Sequence, residues 1–178
     1  MPNAQELVLA LRSELAPISD KIRHHPYITA LENGSIGKDG LRLFAGEQFH
    51  IIKHDLRSFA LLLSRQEDPF VSRFLRGSVA YEAAALDALS GFASALSMTQ
   101  SDLEAYEPLA EAHAYTAFLA LTAVHHSAAE MAASFVIDLE GWGGNCRAMS
   151  RILQRQELAL EDVFPAANSG FYIRTGPF

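Results

Sequence analysis

The chain has one cysteine, Cys146, among its 178 residues. A lone thiol excludes an internal disulfide and fits a reducing compartment. Basic residues are few: 14 Lys and Arg stand against 21 Asp and Glu, a net charge of -7, and no basic cluster offsets the average. Nucleic acid and anionic membrane both need a basic surface, so neither is expected as a partner. No stretch approaches the ~20 uninterrupted apolar residues of a membrane span. Met1 to Leu15 lacks the basic start and apolar run of a signal peptide. There is no strand-like alternation, no internal repeat and no low-complexity segment. A Gly-x-Ser-x-Gly elbow is absent, and Gly143-Gly144-Asn145 does not match a phosphate loop. These absences leave a soluble cytoplasmic protein as the expectation, with residues 1–178 forming one domain.

What is present is helical periodicity, in a chain that is 49% hydrophobic and can therefore bury a core. Leu7, Leu11 and Leu15 recur every four residues, and Pro17 is expected to stop that helix. Pro26 opens a short helix to Leu31, which Asn33-Gly34 ends. A long helix follows from about Lys38 to Arg65. Asp68-Pro69 starts another that reaches about Leu96. Ser101-x-x-Glu104 reads as a capping box. Pro108 restarts the chain into a helix over 109–126, and Ser127 caps an alanine-rich helix that continues to about Gln154. Gly141, Gly143 and Gly144 surround Trp142 inside it and suggest a kink, a close helix contact or a backbone approach to a ligand. From Pro165 the chain turns to loop chemistry. The reading is all-α, with about seven helices.

The long helix carries the chemistry. Glu47, His50 and His54 stand at i, i+3 and i+7, within an arc of roughly 60°. A carboxylate and two imidazoles on one stripe can hold a metal, move a proton or grip a polar substrate, or can form a wet helix margin. The apolar face contains Leu41, Phe44, Ala45, Ile52, Leu56, Phe59 and Leu63. Gln48 lies within that face and Asp55 near it, which points to an internal polar pocket. Its expected substrate-binding residues are Phe44, Gln48, Ile51, Tyr81 and Trp142. Glu82, Asp87, Glu107 and Glu111 could add carboxylates from other helices. His24-His25 fit an exposed turn, and His125-His126 fit a helix C-terminus, where imidazole favours the dipole. Cys146 fits a small buried apolar residue.

His25-Pro26-Tyr27, then Ala30-Leu31-Glu32-Asn33-Gly34, then Leu43-Phe44 and Glu47-Gln48, resemble the start of the TenA/PqqC family, which has the haem-oxygenase-like fold. Ala112-His113-Ala114-Tyr115-Thr116 also resembles that superfamily. The similarity covers roughly residues 20–155. It implies a haem-oxygenase-like helical bundle with a small-molecule substrate, shortened at its C-terminus after about Phe164, and a homodimer to cover the exposed surface.

Within the superfamily, the resemblance to non-haem diiron oxidases, which include the chlamydial death-domain-associating protein, implies a small-molecule oxidase. Glu47 and His54 match its Glu-x6-His pair, and Glu111 is the expected later glutamate. The cofactor would be Fe(II), held by Glu47, His54 and Glu111. Glu47, His50 and Tyr115 are the expected catalytic groups. The resemblance to thiaminase-type members implies hydrolysis of an aminopyrimidine, with Glu47 and Tyr115 gripping the ring. There the family's catalytic cysteine is replaced by Ile137-Asp138-Leu139-Glu140. A third alternative is a degenerate member that binds a small ligand or a protein without catalysis.

Overall fold

The computed structural model describes residues 3–155, except for the side chains of 136–140. Seven helices run through these residues: α1 (Ala4–Arg23), α2 (Pro26–Glu32), α3 (Lys38–Leu63), α4 (Pro69–Ala95), α5 (Gln100–Ala105), α6 (Ala110–His125) and α7 (Ala128–Arg155). No strand occurs among them. None of these helices is long and apolar enough to cross a membrane.

Local chemistry sets most helix ends. Asp68 accepts from the backbone N–H groups of Phe70 and Val71, with Pro69 in the first turn of α4. Asn33 caps the end of α2. Ser127 and Glu130 exchange backbone hydrogen bonds at the start of α7. Two boundaries differ from expectation. Pro17 lies inside α1, which continues to Arg23. A helical proline removes one hydrogen bond, and here the carbonyl left over is on exposed Ser13, where water can serve it. The capping box before α5 is Thr99 with Asp102, so the helix begins two residues before the expected one. The Thr99 hydroxyl accepts from the Asp102 N–H while the Asp102 carboxylate accepts from the Thr99 N–H.

α3 is the central helix. It packs most extensively on α4 and next on α6, while α1 lies along α7. Gly141 explains that last contact: a Cβ there would come within 3.2 Å of Ile22 on α1. Asn145, one turn on, donates its side-chain amide to the Ile22 carbonyl at 2.8 Å. The glycine segment is thus continuous helix, and its first glycine serves close packing.

The core is divided. At one end Leu31, Leu41, Ala45, Phe49, Leu89, Phe92, Met149 and Leu153 form an apolar cluster. At the other end Phe59, Leu62, Leu75, Leu119, Ala123, Met131 and Phe135 form a second. Between them, along α3 and α4, the buried residues are Asp55, Ser58, Ser78 and Glu82. α7 contributes Trp142 and buried Cys146 to the interval between its own two apolar ends. The bundle therefore has a polar waist.

Candidate functional site

The Glu47 stripe faces the α5–α6 connection. Glu47 Oε1 accepts the Tyr106 hydroxyl at 2.7 Å and the Leu109 backbone N–H at 2.9 Å. Gly46 makes this possible, because a Cβ there would sit 2.5 Å from the Tyr106 ring. With only hydrogen at that position, the ring lies directly on the α3 backbone. Burial, then the bond to Glu47, pushes the Tyr106 hydroxyl up to about 12. His50 Nε2 is 3.2 Å from the Leu103 carbonyl oxygen, which fits an imidazole N–H donating to it.

Leu109 is the N-cap residue of α6 and has no side-chain cap to offer. Glu47 supplies a carboxylate at that helix start, where the macrodipole favours negative charge. At the other end, Arg65 donates from Nη1 to the carbonyls of Ala123 and Val124. α3 and α6 run in the same direction, and the Glu47-to-Arg65 segment grips both ends of α6 with the sign of charge each end favours. The Glu47–His50 part of the stripe therefore has a structural task that its spacing alone does not reveal.

The remaining stripe residue, His54, stands 6.2 Å ring to ring from His113, in an edge-to-face arrangement. Burial, reinforced by Arg57 and His113, holds its imidazole below the usual value. Glu111 is exposed on α6. Among the described residues no group of three or more His, Cys, Asp or Glu is gathered to hold a metal. Glu47, His54 and Glu111 thus do not form one ligand set there: Glu47 Oε1 is engaged with Tyr106 and Leu109, and His54 meets His113 instead of Glu111. As placed, these three residues do not make an iron site among the described residues. Glu47 Oε2 is buried with no hydrogen-bond partner among the described residues. Tyr115 is half-buried against the second apolar cluster.

The substrate-binding candidates fall on a different face. Phe44, Gln48, Ile51 and Asp55 are spaced i, i+4, i+7 and i+11, one stripe of α3. Phe44 stacks between Tyr27 and Trp142, at 6.3 and 6.0 Å between ring centroids, and meets Phe92 edge-on. The Tyr27 hydroxyl is buried with no hydrogen-bond partner among the described residues. Along the stripe burial deepens from half-buried Gln48 and Ile51 to Asp55, which is 5% exposed.

Opposite Asp55, on α4, Glu82 is also 5% exposed. Loss of water, and then the Asp55 charge, push its carboxyl up to about 8. Tyr81 is raised to about 12, first by burial and then by Glu82 and Cys146. Asp55, Glu82, Tyr81 and Cys146 are therefore electrostatic neighbours in the waist. Two close carboxyls in a poorly solvated site do not both ionise readily. Near neutral pH such a pair holds one proton and presents an O–H donor beside carboxylate acceptors.

Sequence spacing does not single out Asp55 and Glu82 as a pair. A signal for Glu82 exists, because Leu75, Ser78, Glu82 and Leu89 follow the 3-4-7 spacing of one buried face of α4. The region where the resemblance places the family's cysteine, Ile137-Asp138-Leu139-Glu140, has its side chains outside the described residues, and the tail expected to be irregular from residue 165 lies outside them too.

An all-α bundle whose two apolar cores are separated by an interval of buried polar residues is the class of protein these observations define. The chain belongs to the TENA/THI-4/PQQC family, whose model matches residues 12–165, and so to the haem-oxygenase-like superfamily. No curated protein and no solved structure is matched.

Proposed function

We propose that this chain takes a small, flat, nitrogen-bearing molecule of the aminopyrimidine type into the waist between α3, α4 and α7. The observation that carries the reading is the buried Asp55–Glu82 pair. An aminopyrimidine presents a ring nitrogen acceptor next to an amino donor. A carboxylic acid beside a carboxylate presents the complementary donor and acceptor. Tyr81, half-buried beside Glu82, supplies a further polar group. This reading agrees with a family that includes thiaminase-like members. It is preferred to iron-dependent oxidation because Glu47, His54 and Glu111 are not gathered as ligands among the described residues.

The roles follow from the environment. Protonated Glu82 donates to the ring nitrogen. Asp55, whose charge opposes ionisation of Glu82, accepts from the amino group. A proton held near neutral pH can then pass to the bound ring, the assistance general-acid chemistry requires.

Calorimetric titration with 4-amino-2-methylpyrimidine tests the proposal. Binding is expected to weaken at least tenfold in Asp55→Asn and in Glu82→Ala, with helicity retained. No binding to the unaltered protein, or equal binding by both variants, would overturn it. Binding without turnover would identify a binding member of the family.

A further inference from the structure

We infer that the margin between α3 and α6 beside His54 is an anion site, which takes one phosphoryl group between His54, Arg57 and His113. The inference is independent of the ligand proposed for the waist, because Asp55 lies on another side of α3.

The cations here have no acid to meet. His50, Lys53, His54 and Arg57 share one arc of about 100° on α3. After loss of water, the charges that act on His54 are all cationic: Arg57, His113, His50 and Lys53, in that order. Elsewhere Arg23, Arg42 and Arg155 each meet an Asp or Glu, and Arg65 holds the end of α6. Arg57 is exposed and enters no ion pair among the described residues. Lys53 lies over the Phe49 ring, 4.5 Å from its centroid, and meets no carboxylate among them either.

The acids on the two helices are turned elsewhere. Glu47, one turn before His50, is engaged with Tyr106 and Leu109. Glu111 lies about 160° around α6 from His113. A cluster of cations without counter-charge runs against the chain's net charge of -7, and its field draws an anion to this margin.

The spacing suits one tetrahedral anion. His54 and His113 stand 6.2 Å apart, ring to ring. Charged acceptors take N–H donors at about 2.7–2.9 Å, so one phosphoryl group can reach both rings. Arg57, one turn beyond His54, offers a guanidinium whose paired N–H groups match two phosphoryl oxygens. A phosphoryl group brings three oxygens to these three donors, where a carboxylate brings two. His54 is half-buried while Arg57 and His113 are exposed, so the anion enters from the solvent side. Once bound, it favours the protonated imidazole and offsets the neighbours that oppose it.

Titration of the full chain with inorganic phosphate at neutral pH and low ionic strength, followed by the imidazole proton resonances, decides the matter. The expected result is a saturable shift of His54 and His113 that chloride at equal ionic strength does not produce. Arg57→Gln, an exposed change that should leave the helical spectrum as it is, should weaken phosphate binding about fivefold or more. Arg57→Lys, which keeps the charge but not the paired donors, should recover part of that loss. No saturable shift, an equal shift with chloride, or equal binding by Arg57→Gln would overturn the inference. Phenyl phosphate separates the two sources of the anion. Tighter binding than inorganic phosphate would support the inference and assign the site to a phosphate monoester; equal or weaker binding would support it and assign the site to the free ion.

Discussion

The Glu47 corner and the Asp55–Glu82 waist lie on the same central helix and treat carboxylates in opposite ways. At the corner, Glu47 meets an O–H and an N–H donor at the start of α6. In the waist, Glu82 meets another acid and little water, so its neutral form is favoured. One carboxylate holds a fold together while the other is kept at an energetic disadvantage. The lesson is that convergence of polar residues on one stripe does not by itself mark chemistry. The partner each residue meets decides the matter, and disfavoured groups are the better pointers to function.

The largest test of this contrast is pH. Unfolded Glu82 loses its proton near 4.5, whereas in the fold it keeps it until about 8. Across that window the folded state binds more protons, so its stability falls as pH rises and levels off above 8. Each tenfold difference in proton affinity is worth about 1.4 kcal/mol, so the loss is on the order of 5 kcal/mol. Urea denaturation of the native protein and of Glu82→Gln at pH 5 and pH 8 should show a steeper loss in the native protein. Equal slopes would remove the disadvantage assigned to the waist.

Gly46→Val comes next. Its side chain would displace the Tyr106 ring from α3, at about 3 kcal/mol of overpacking. A melting temperature that does not fall would show that the notch is not required. Glu47→Ala should lose about 2 kcal/mol by leaving two donors without their acceptor, whereas Glu47→Gln keeps an acceptor oxygen and should lose less than about 1 kcal/mol. If both variants lost the same amount in denaturant titrations, the charge at the start of α6 would outweigh the hydrogen bonds. Arg65→Ala, at the far end of α6, should cost about 1 kcal/mol. Hydrogen exchange localised to the last turn of α6 would mark that loss.

Much of the fold is legible in the sequence because helix ends here are written in local chemistry: Asp68-Pro69, Asn33 and Ser127 each act on backbone groups within a few residues. Pro17 misleads because the spacing of apolar residues cannot say whether the carbonyl freed by a proline reaches water. The interior stripe is visible in Gln48 and Asp55, polar residues within or near an apolar face. The partners of Glu47 are not, since Tyr106 lies 59 residues away in sequence and nothing in Gly46 announces a ring above it. Sequence pairs His54 with Glu111; the structure sets it against His113, on the same helix but another side. The histidine doublets keep their modest roles: His24 and His126 are C-cap residues, and His25 caps α2.

The division of the core has a consequence for how this chain can vary. Phe49 and Phe59 belong to separate apolar clusters, about 15 Å apart along α3 at 1.5 Å per residue. Sites that far apart with no shared neighbours contribute to stability almost additively. Substitutions in one half therefore need no compensation in the other, and each end of the bundle can accumulate changes on its own account while the carboxyl pair between them stays in place.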